Sequence, residues 1–492
     1  MLAKPAEKLL RCFYIVFIAA FTWLFINVVF FNTHFAYQAP WVILCAGVWL
    51  MVFFALCAAA EKAKAFLCAR EKRCLVAAFL LLLLYALLFY VQVGAYPARD
   101  WYNVYTGAYN YTIAGIIEDP FLDYFYKFPN NMPITIVLQF LFRVFYKFGV
   151  TNFLAVGALF NVFCIGLTYL FVYLCCRELL GVPWAFLSLA VLALCVPLHC
   201  YISVFYTDTT TMLFAPLAFY LYLKAQKAQK SALRYGLIVF GGMLLGFGMA
   251  LKYSVVITAV ALAIDMLLHK RFRLMLAALA STAAGFLLWS MLFNSFMYAH
   301  ILDKNLAEDR ATPLLSWVMM GLGGDGAHNP EDNYLVWNEE SKADKQAVTL
   351  RTLRQRLNDF GPFGYLQFLN AKGVRSFGSG TLGAEGMPAD SSMRQTFLVE
   401  CISPAGRFFS AASHVFQGYH VLLFSLIVAG AALALKRRDY RFTVPLVSIF
   451  GLYLFLLLWE AGHRYLVNYM GVFVTAAVFG LFQILQKRGE NM

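Results

Sequence analysis

PITIVLQFLFRVFYKFG, residues 133–149, is apolar enough to be read as a membrane span, and whether it is one decides the sidedness of everything after it. Thr135, Gln139, Arg143 and Lys147 recur in it every four residues. That spacing lines one face of a helix. A helix with one polar stripe lies in the membrane surface rather than across it. Left out of the count, it leaves apolar stretches at about 12–33, 41–60, 74–94, 152–176, 183–203, 209–224, 235–252, 254–269, 274–297, 413–435, 442–459 and 466–485. A ~30 Å hydrocarbon core needs about 20 residues per helix, so the expected fold is an all-α polytopic membrane protein with about twelve spans.

The basic residues agree with that exclusion. With the amino terminus in the cytoplasm, the inner loops hold Lys62, Lys64, Arg70, Lys72 and Arg73, then Arg177, then Lys224, Lys227, Lys230 and Arg234. Lys270, Arg271 and Arg273 follow, then Lys436, Arg437, Arg438 and Arg441, and finally Lys487 and Arg488. The short outer loops 34–40 and 204–208 contain no lysine or arginine. This is the asymmetry that positive charge imposes on membrane topology. Counting 133–149 as a span would put every later basic cluster outside.

The organisation expected is a hairpin with a basic loop (1–73), a transmembrane core with a first outer loop at 95–151 (74–297), an extracytoplasmic insertion (298–412) and the last transmembrane helices (413–492). The insertion carries an amphipathic helix near 341–358 and two glycine-rich turns, GLGGDG (321–326) and FGSGTLGAEG (377–386). Lys4, Lys8 and Arg11 precede an apolar run longer than a signal-peptide core, which reads as a retained anchor.

Composition excludes several classes. The chain of 492 residues is 62% hydrophobic and 13% charged, far too little charge for a soluble protein of this length. Its net charge of +13 sits beside spans rather than on a binding surface, so nucleic acid is not an expected partner. The 11 cysteines lie mostly in apolar runs, and none has metal-type pair spacing.

Ionisable groups at membrane depth are costly and are the first candidates for function. Asp100 lies in YPARDWYNVY (96–105) and Asp208 in YTDTTTM (206–212), both at outer boundaries. Either could instead be a helix N-cap. Lys252 lies at another outer turn, where a lysine can also snorkel to the headgroups. Glu460, His463 and Arg464 occur in WEAGHRYLVNY (459–469). Glu460 and Arg464 are spaced for an intrahelical pair. An outer arginine nonetheless runs against the charge bias, and its fork fits two phosphate oxygens. Asn130 and Asn131 stand between two prolines in YFYKFPNNMP (124–133), as a turn or as amides for a sugar or phosphate. Asn110-Tyr111-Thr112 is a glycosylation acceptor triplet should the source be eukaryotic.

In their order these features resemble the GT-C superfamily of membrane glycosyltransferases, and within it the bacterial members called family 39, with protein O-mannosyltransferases and aminoarabinose transferases. The matching residues are Asp100, the surface helix, Pro129-Asn130-Asn131, Tyr206-Thr207-Asp208, Trp317–Leu322 (W-x-M-M-G-L) and Glu460–Tyr465 (E-x-x-x-R-Y), over about residues 74–485. The first two spans fall outside the shared core. The resemblance implies transfer of a sugar from a polyprenyl-phosphate donor to an acceptor hydroxyl of a glycan, lipid or protein, on the outer face of a bacterial plasma membrane, with inversion. Asp100 would be the general base, with Asp208 as the second catalytic acidic residue, orienting the acceptor or the surroundings of Asp100. Arg464 and Lys252 would hold the lipid phosphate, with Glu460, His463, Tyr465, Asn130, Asn131 and Tyr206 also lining the substrate. Many members carry an acidic pair where this chain has Asp100 followed by Trp101. A divalent metal is therefore left open, and no other cofactor is implied.

Two other classes fit a polytopic chain. A lipid-linked sugar flippase or transporter would place its charges near the bilayer midplane. A glycan polymerase or ligase would share the topology described.

Overall fold

The computed structural model describes residues 4–387 and 395–486, so Lys487 and Arg488 of the expected basic tail lie outside the described residues. The principal helices are α1 (Lys4–Phe30), α2 (Ala39–Lys62), α3 (Glu71–Val93), α4 (Arg99–Ile113), α5 (Met132–Tyr146), α6 (Phe153–Leu180) and α7 (Val182–Ala193). They continue with α8 (Phe214–Lys227), α9 (Ser231–Leu251), α10 (Val256–Leu268), α11 (Phe272–His300), α12 (Lys342–Phe377), α13 (Phe409–Arg437), α14 (Thr443–Leu458) and α15 (Met470–Leu485). No strand occurs among the described residues. The chain is an all-α, multi-pass membrane protein.

Among the described residues, eight helices are long and apolar enough to cross a membrane, or nine if a bent pair counts as one span. The expected count of about twelve is not reached by length because three of the expected segments are short. The 209–224 segment is the 14-residue α8, and α14 has 16 residues. With its leading turn, the 254–269 segment runs only from Tyr253 to Leu268. At 1.5 Å per residue, 16 residues reach about 24 Å. The bent pair is Val182–Ala193 with Val196–Ser203, which meet at 64°. Such a break frees backbone carbonyls in a medium without water. Here Tyr419 donates to the Val191 carbonyl (2.8 Å) and Tyr85 to that of Ala193 (3.0 Å). His199 Nδ1 donates to the Cys195 carbonyl at 2.8 Å and its Nε2 accepts from Tyr169 at 2.6 Å.

The basic clusters gather at one end of the bundle. Arg177 pairs with Glu71, Lys227 with Glu178 (2.7 Å) and Arg438 with Glu7 (3.5 Å), while Arg441 donates to the Leu179 carbonyl (3.0 Å). Helices α9 and α14 start at this end, and Lys252 and Glu460 follow their far ends. α15 is buried along almost its whole length, whereas α2 and α3 are peripheral. Close crossings use small residues, as in membrane bundles generally. A Cβ on Gly480 would come 2.0 Å from the Leu426 carbonyl oxygen, and one on Gly430 2.3 Å from the Gly480 Cα.

Two expectations about placement change. α5 is amphipathic, but its polar stripe does not face water along its length. Thr135 and Gln139 are buried, while Phe140, Val144 and Phe148 are exposed beside Arg143 and Lys147. Thr135 satisfies itself by donating to the Asn131 carbonyl at 2.8 Å, so its hydroxyl needs no solvent. The insertion is likewise not wholly peripheral. α12 breaks at Gly361 (φ 57°) before Pro362. Its second half enters the bundle, where Phe377 packs against Phe21, Phe424 and Tyr453. The first helix is integral too, since Tyr14, Phe17 and Phe21 are completely buried.

Substituting Gly480 by Val should overpack the α13–α15 crossing and cost about 3 kcal/mol, read as a lower unfolding midpoint in detergent. Gly47→Val, where a Cβ meets nothing within 4 Å, should leave the midpoint unchanged.

Candidate functional site

At the end opposite the basic clusters, a one-way chain of hydrogen bonds leads to Asp100. Tyr206 donates to Asn131 Oδ1 (2.9 Å), Asn131 Nδ2 donates to the Tyr124 hydroxyl (2.5 Å), and Tyr124 donates to Asp100 Oδ1 (2.9 Å). Asp100 sits in the first turn of α4, whose N-cap is the extended Ala98, so the carboxylate is not a cap. Gly107 sets the spacing, because a Cβ there would lie 2.6 Å from the Phe125 ring.

Asp208 is the second centre. Its carboxyl group is almost fully buried and receives Lys252 Nζ at 2.8 Å on Oδ1 and Arg464 Nε at 3.4 Å on Oδ2. Burial alone would raise its pKa, but the two cations outweigh burial and hold it below the usual carboxylate range. The N-cap of its short helix is Tyr206, so Asp208 is not a cap either. Side chains brace the surrounding irregular backbone. Asn161 Nδ2 from α6 donates to the carbonyls of Tyr201, Ile202 and Val204 (2.8, 3.1 and 3.2 Å). Thr211 accepts from Asn468 at 2.7 Å. Buried backbone outside helices needs such partners.

Arg464 joins the two centres. Its guanidinium lies 5.9 Å from the Tyr206 ring centre and 5.7 Å from that of Tyr465, and Lys252 Nζ is 5.3 Å from the latter. Tyr465 donates to Glu460 Oε1 at 3.2 Å, so Glu460 belongs to the same cluster and forms no ion pair with Arg464. Burial raises the pKa of Glu460; His328, Arg464 and the Tyr465 hydroxyl pull it back, while the nearby charge of Asp100 adds to the rise.

His463 faces away from that cluster, toward Glu385 Oε1 at 2.8 Å. Burial would raise the Glu385 pKa, yet His463 lowers it. Glu385 is the penultimate residue of the second glycine-rich turn, which is threaded into the bundle. Gln417 clamps that turn by accepting from the Gly380 amide (2.6 Å) and donating to the Gly378 carbonyl (2.9 Å). Tyr201 donates to the Leu382 carbonyl at 2.6 Å. Gly383 has φ 83°, and a Cβ there would lie 3.0 Å from the Tyr201 hydroxyl and 3.1 Å from Arg464 Cβ. The turn therefore presses directly on the arginine.

The structure thus brings together Asp100, Asn131, Tyr206, Asp208, Lys252, Glu460, Arg464 and Tyr465, with His463 at the edge. Asn130 is exposed and takes no part in the hydrogen-bond chain. Tyr124, Asn161, Glu385 and Gln417 were not expected. A polar residue inside an apolar run was the available signal for Asn161 and Gln417. Among the described residues no group of three or more His, Cys, Asp or Glu side chains could hold a metal ion. Both Asp208 oxygens are engaged by cations, so that carboxylate is not open to a metal ion.

The profile of a family described as conserved hypothetical integral membrane protein matches residues 2–483. No curated protein sequence matches the chain. Among solved structures, the chain is similar to the oligosaccharyltransferase AglB of Archaeoglobus fulgidus, in complex with an inhibitory peptide and a dolichol-phosphate. The identity is 13% and the TM-score 0.42, with 84% of this chain and 50% of that one covered. It is also similar to ArnT of Cupriavidus metallidurans bound to undecaprenyl phosphate, at 14% identity and a TM-score of 0.35, covering 83% of this chain and 77% of that one. The chain thus spans about half the length of the archaeal enzyme.

Replacing Asp208 by Asn should leave Lys252 and Arg464 facing each other without an anion. The expected loss is about 3 kcal/mol, the low end for stranding buried charge because Arg464 keeps 37% of its side chain exposed. A lowered unfolding midpoint, partly recovered in Asp208→Asn/Lys252→Met, would show it.

Proposed function

The chain belongs to the family of conserved hypothetical integral membrane proteins, and we propose that within it this member is a membrane glycosyltransferase acting at the end of the bundle away from the basic loops. The reaction is transfer of a sugar from a polyprenyl-phosphate donor to an acceptor hydroxyl. The observation that carries this reading is the placement of two cations, Lys252 and Arg464, around one buried carboxylate, with Arg464 over Tyr206, whose hydrogen-bond chain ends on a second carboxylate, Asp100. A transporter site would lie toward the middle of the helices. These groups follow helix ends, where a lipid phosphate sits with its tail in the bilayer.

Asp100 takes the acceptor proton as the acceptor oxygen attacks the anomeric carbon. The bond from that carbon to the phosphate oxygen breaks, and the electron pair leaves with the lipid phosphate. Arg464 and Lys252 stabilise the charge that grows there. Attack from the face opposite the phosphate inverts the anomeric centre. Asp208 touches neither substrate; it aims the two cations. The chain Tyr206–Asn131–Tyr124 fixes the Asp100 carboxylate by donating toward it. Family membership and the alternating basic loops support a multi-pass protein with this end outside the cytoplasm.

Membranes containing the protein should move radiolabel from at least one member of a panel of polyprenyl-phosphate sugars. Asp100→Asn should lower that transfer by about 10²- to 10⁴-fold. Equal transfer by the variant would remove Asp100 from the chemistry. Silence of the folded wild type across the panel would favour a flippase. Arg464→Lys, which keeps the charge and loses the fork, should lower kcat/KM by roughly 10²-fold.

A further inference from the structure

GLGGDG, the first glycine-rich turn, and one lysine remain without a role in that reading. Lys372, on the second half of α12, has 0% exposure, and its Nζ donates to the Gly321 carbonyl at 2.5 Å. Among the described residues no carboxylate lies within 4.0 Å of it. A buried ammonium with one carbonyl partner is costly. Where only volume is needed, Met or Leu fills such a place without that cost.

The surroundings are built around this side chain. A Cβ on Gly326 would lie 2.9–3.1 Å from its Cδ, Cγ and Cε. At Gly321 the added atom would meet both Lys372 Nζ (2.8 Å) and the Trp459 carbonyl oxygen (2.7 Å). The Ala461 amide donates to the Gly326 carbonyl at 2.6 Å, and Trp317 stacks on Trp459 at 5.8 Å. The turn thus wraps the lysine stem and fastens it under residues 459–461, the backbone that carries Glu460.

We propose that Lys372 is a positioning residue for the transferase site, a buried cation fastened beneath residues 459–461 that adds to His328 and Arg464 in keeping Glu460 anionic beside Asp100. This rests on the glycosyltransferase reading, with Glu460 among the residues that line the substrate. The charged and titratable groups facing Glu460 are Arg464 and Tyr465 on its own segment, His328 from the insertion, Asp100 from α4 and Lys372 from α12. Arg375 and Asp325, near the turn, neutralise each other at 2.8 Å. Burial lowers the pKa of Lys372 to about 8, and the charge of Glu460 acts against that fall. The attraction is mutual, so the ammonium works with His328 and Arg464 against the rise that burial imposes on Glu460. Removing it lets Glu460 hold its proton to higher pH.

The test uses the full-length protein in nanodiscs. Infrared titration follows the protonated-carboxyl band that Glu460→Gln abolishes. Lys372→Met should move its midpoint up by about one pH unit, and Lys372→Arg should leave it near the wild-type value. Lys372→Gln, which keeps a donor for Gly321, should shift it as Met does if Met disturbs folding. With the donor that the wild type uses, the acid limb of the transfer rate should move up by the same amount. Lys372→Met should add nothing to Glu460→Gln. An unmoved midpoint in folded Lys372→Met and Lys372→Gln overturns the proposal, as does an undiminished effect of Lys372→Met in the Glu460→Gln background. A shifted midpoint in a protein that transfers no sugar would keep the counter-charge and discard the transferase reading.

Discussion

One buried carboxylate holds the site in shape. Asp208 follows an irregular stretch between a broken helix and α8, and it collects Lys252 from the end of α9 and Arg464 from the start of the last span. Three separate parts of the bundle meet in that ion triad. The gain in Coulomb energy exceeds the loss of hydration only if the geometry is fixed. Much of the surrounding polar structure supplies that fixity: Asn161 on the 201–204 carbonyls, Asn468 on Thr211, and the glycine turn pressed against Arg464. The break in the span before Asp208 belongs to the same arrangement. A straight helix would carry the chain past the site, and the tyrosines at the bend satisfy the carbonyls that the break exposes.

Both rows of charge serve the bundle as a whole. Basic loops knit together at one end through Glu71 and Glu178, while the cations at the other end are used singly and around carboxylates. This separation is what a sequence pattern can carry, because each basic loop announces itself locally. The helical membrane class and the grouping of Asp100, Asp208, Lys252, Glu460 and Arg464 at one end followed from it. Span length did not. Hydropathy marks where a segment is apolar, but the helix stops where the site needs backbone, as at Lys252 and Trp459.

Other parts were illegible for a different reason. The stripe in α5 was correctly spaced, yet its first half faces protein, because Thr135 closes its own hydrogen bond within the helix. Glu385 and Lys372 sit in a segment that reads as a surface insertion, and their partners, His463 and the backbone of Gly321, are distant in sequence or carry no side chain. A pairing of that kind leaves no periodic trace. Asp100 and Asp208 looked alike from sequence, each open to a capping role. Structure separates them: one ends a chain of neutral donors, the other is saturated by cations.

The passage of the insertion back into the bundle has a consequence for how such a protein can diversify. An external cap joined by two flexible ends could be exchanged between relatives as a unit. Here Phe377 lies in the core, Gln417 grips the chain beyond it, and Gly383 touches the arginine. A grafted insertion would carry its own second half into a foreign core and misplace Arg464. New preferences at this site are therefore reached more readily by changes in the exposed segments before Gly361 than by recombination of the whole insertion.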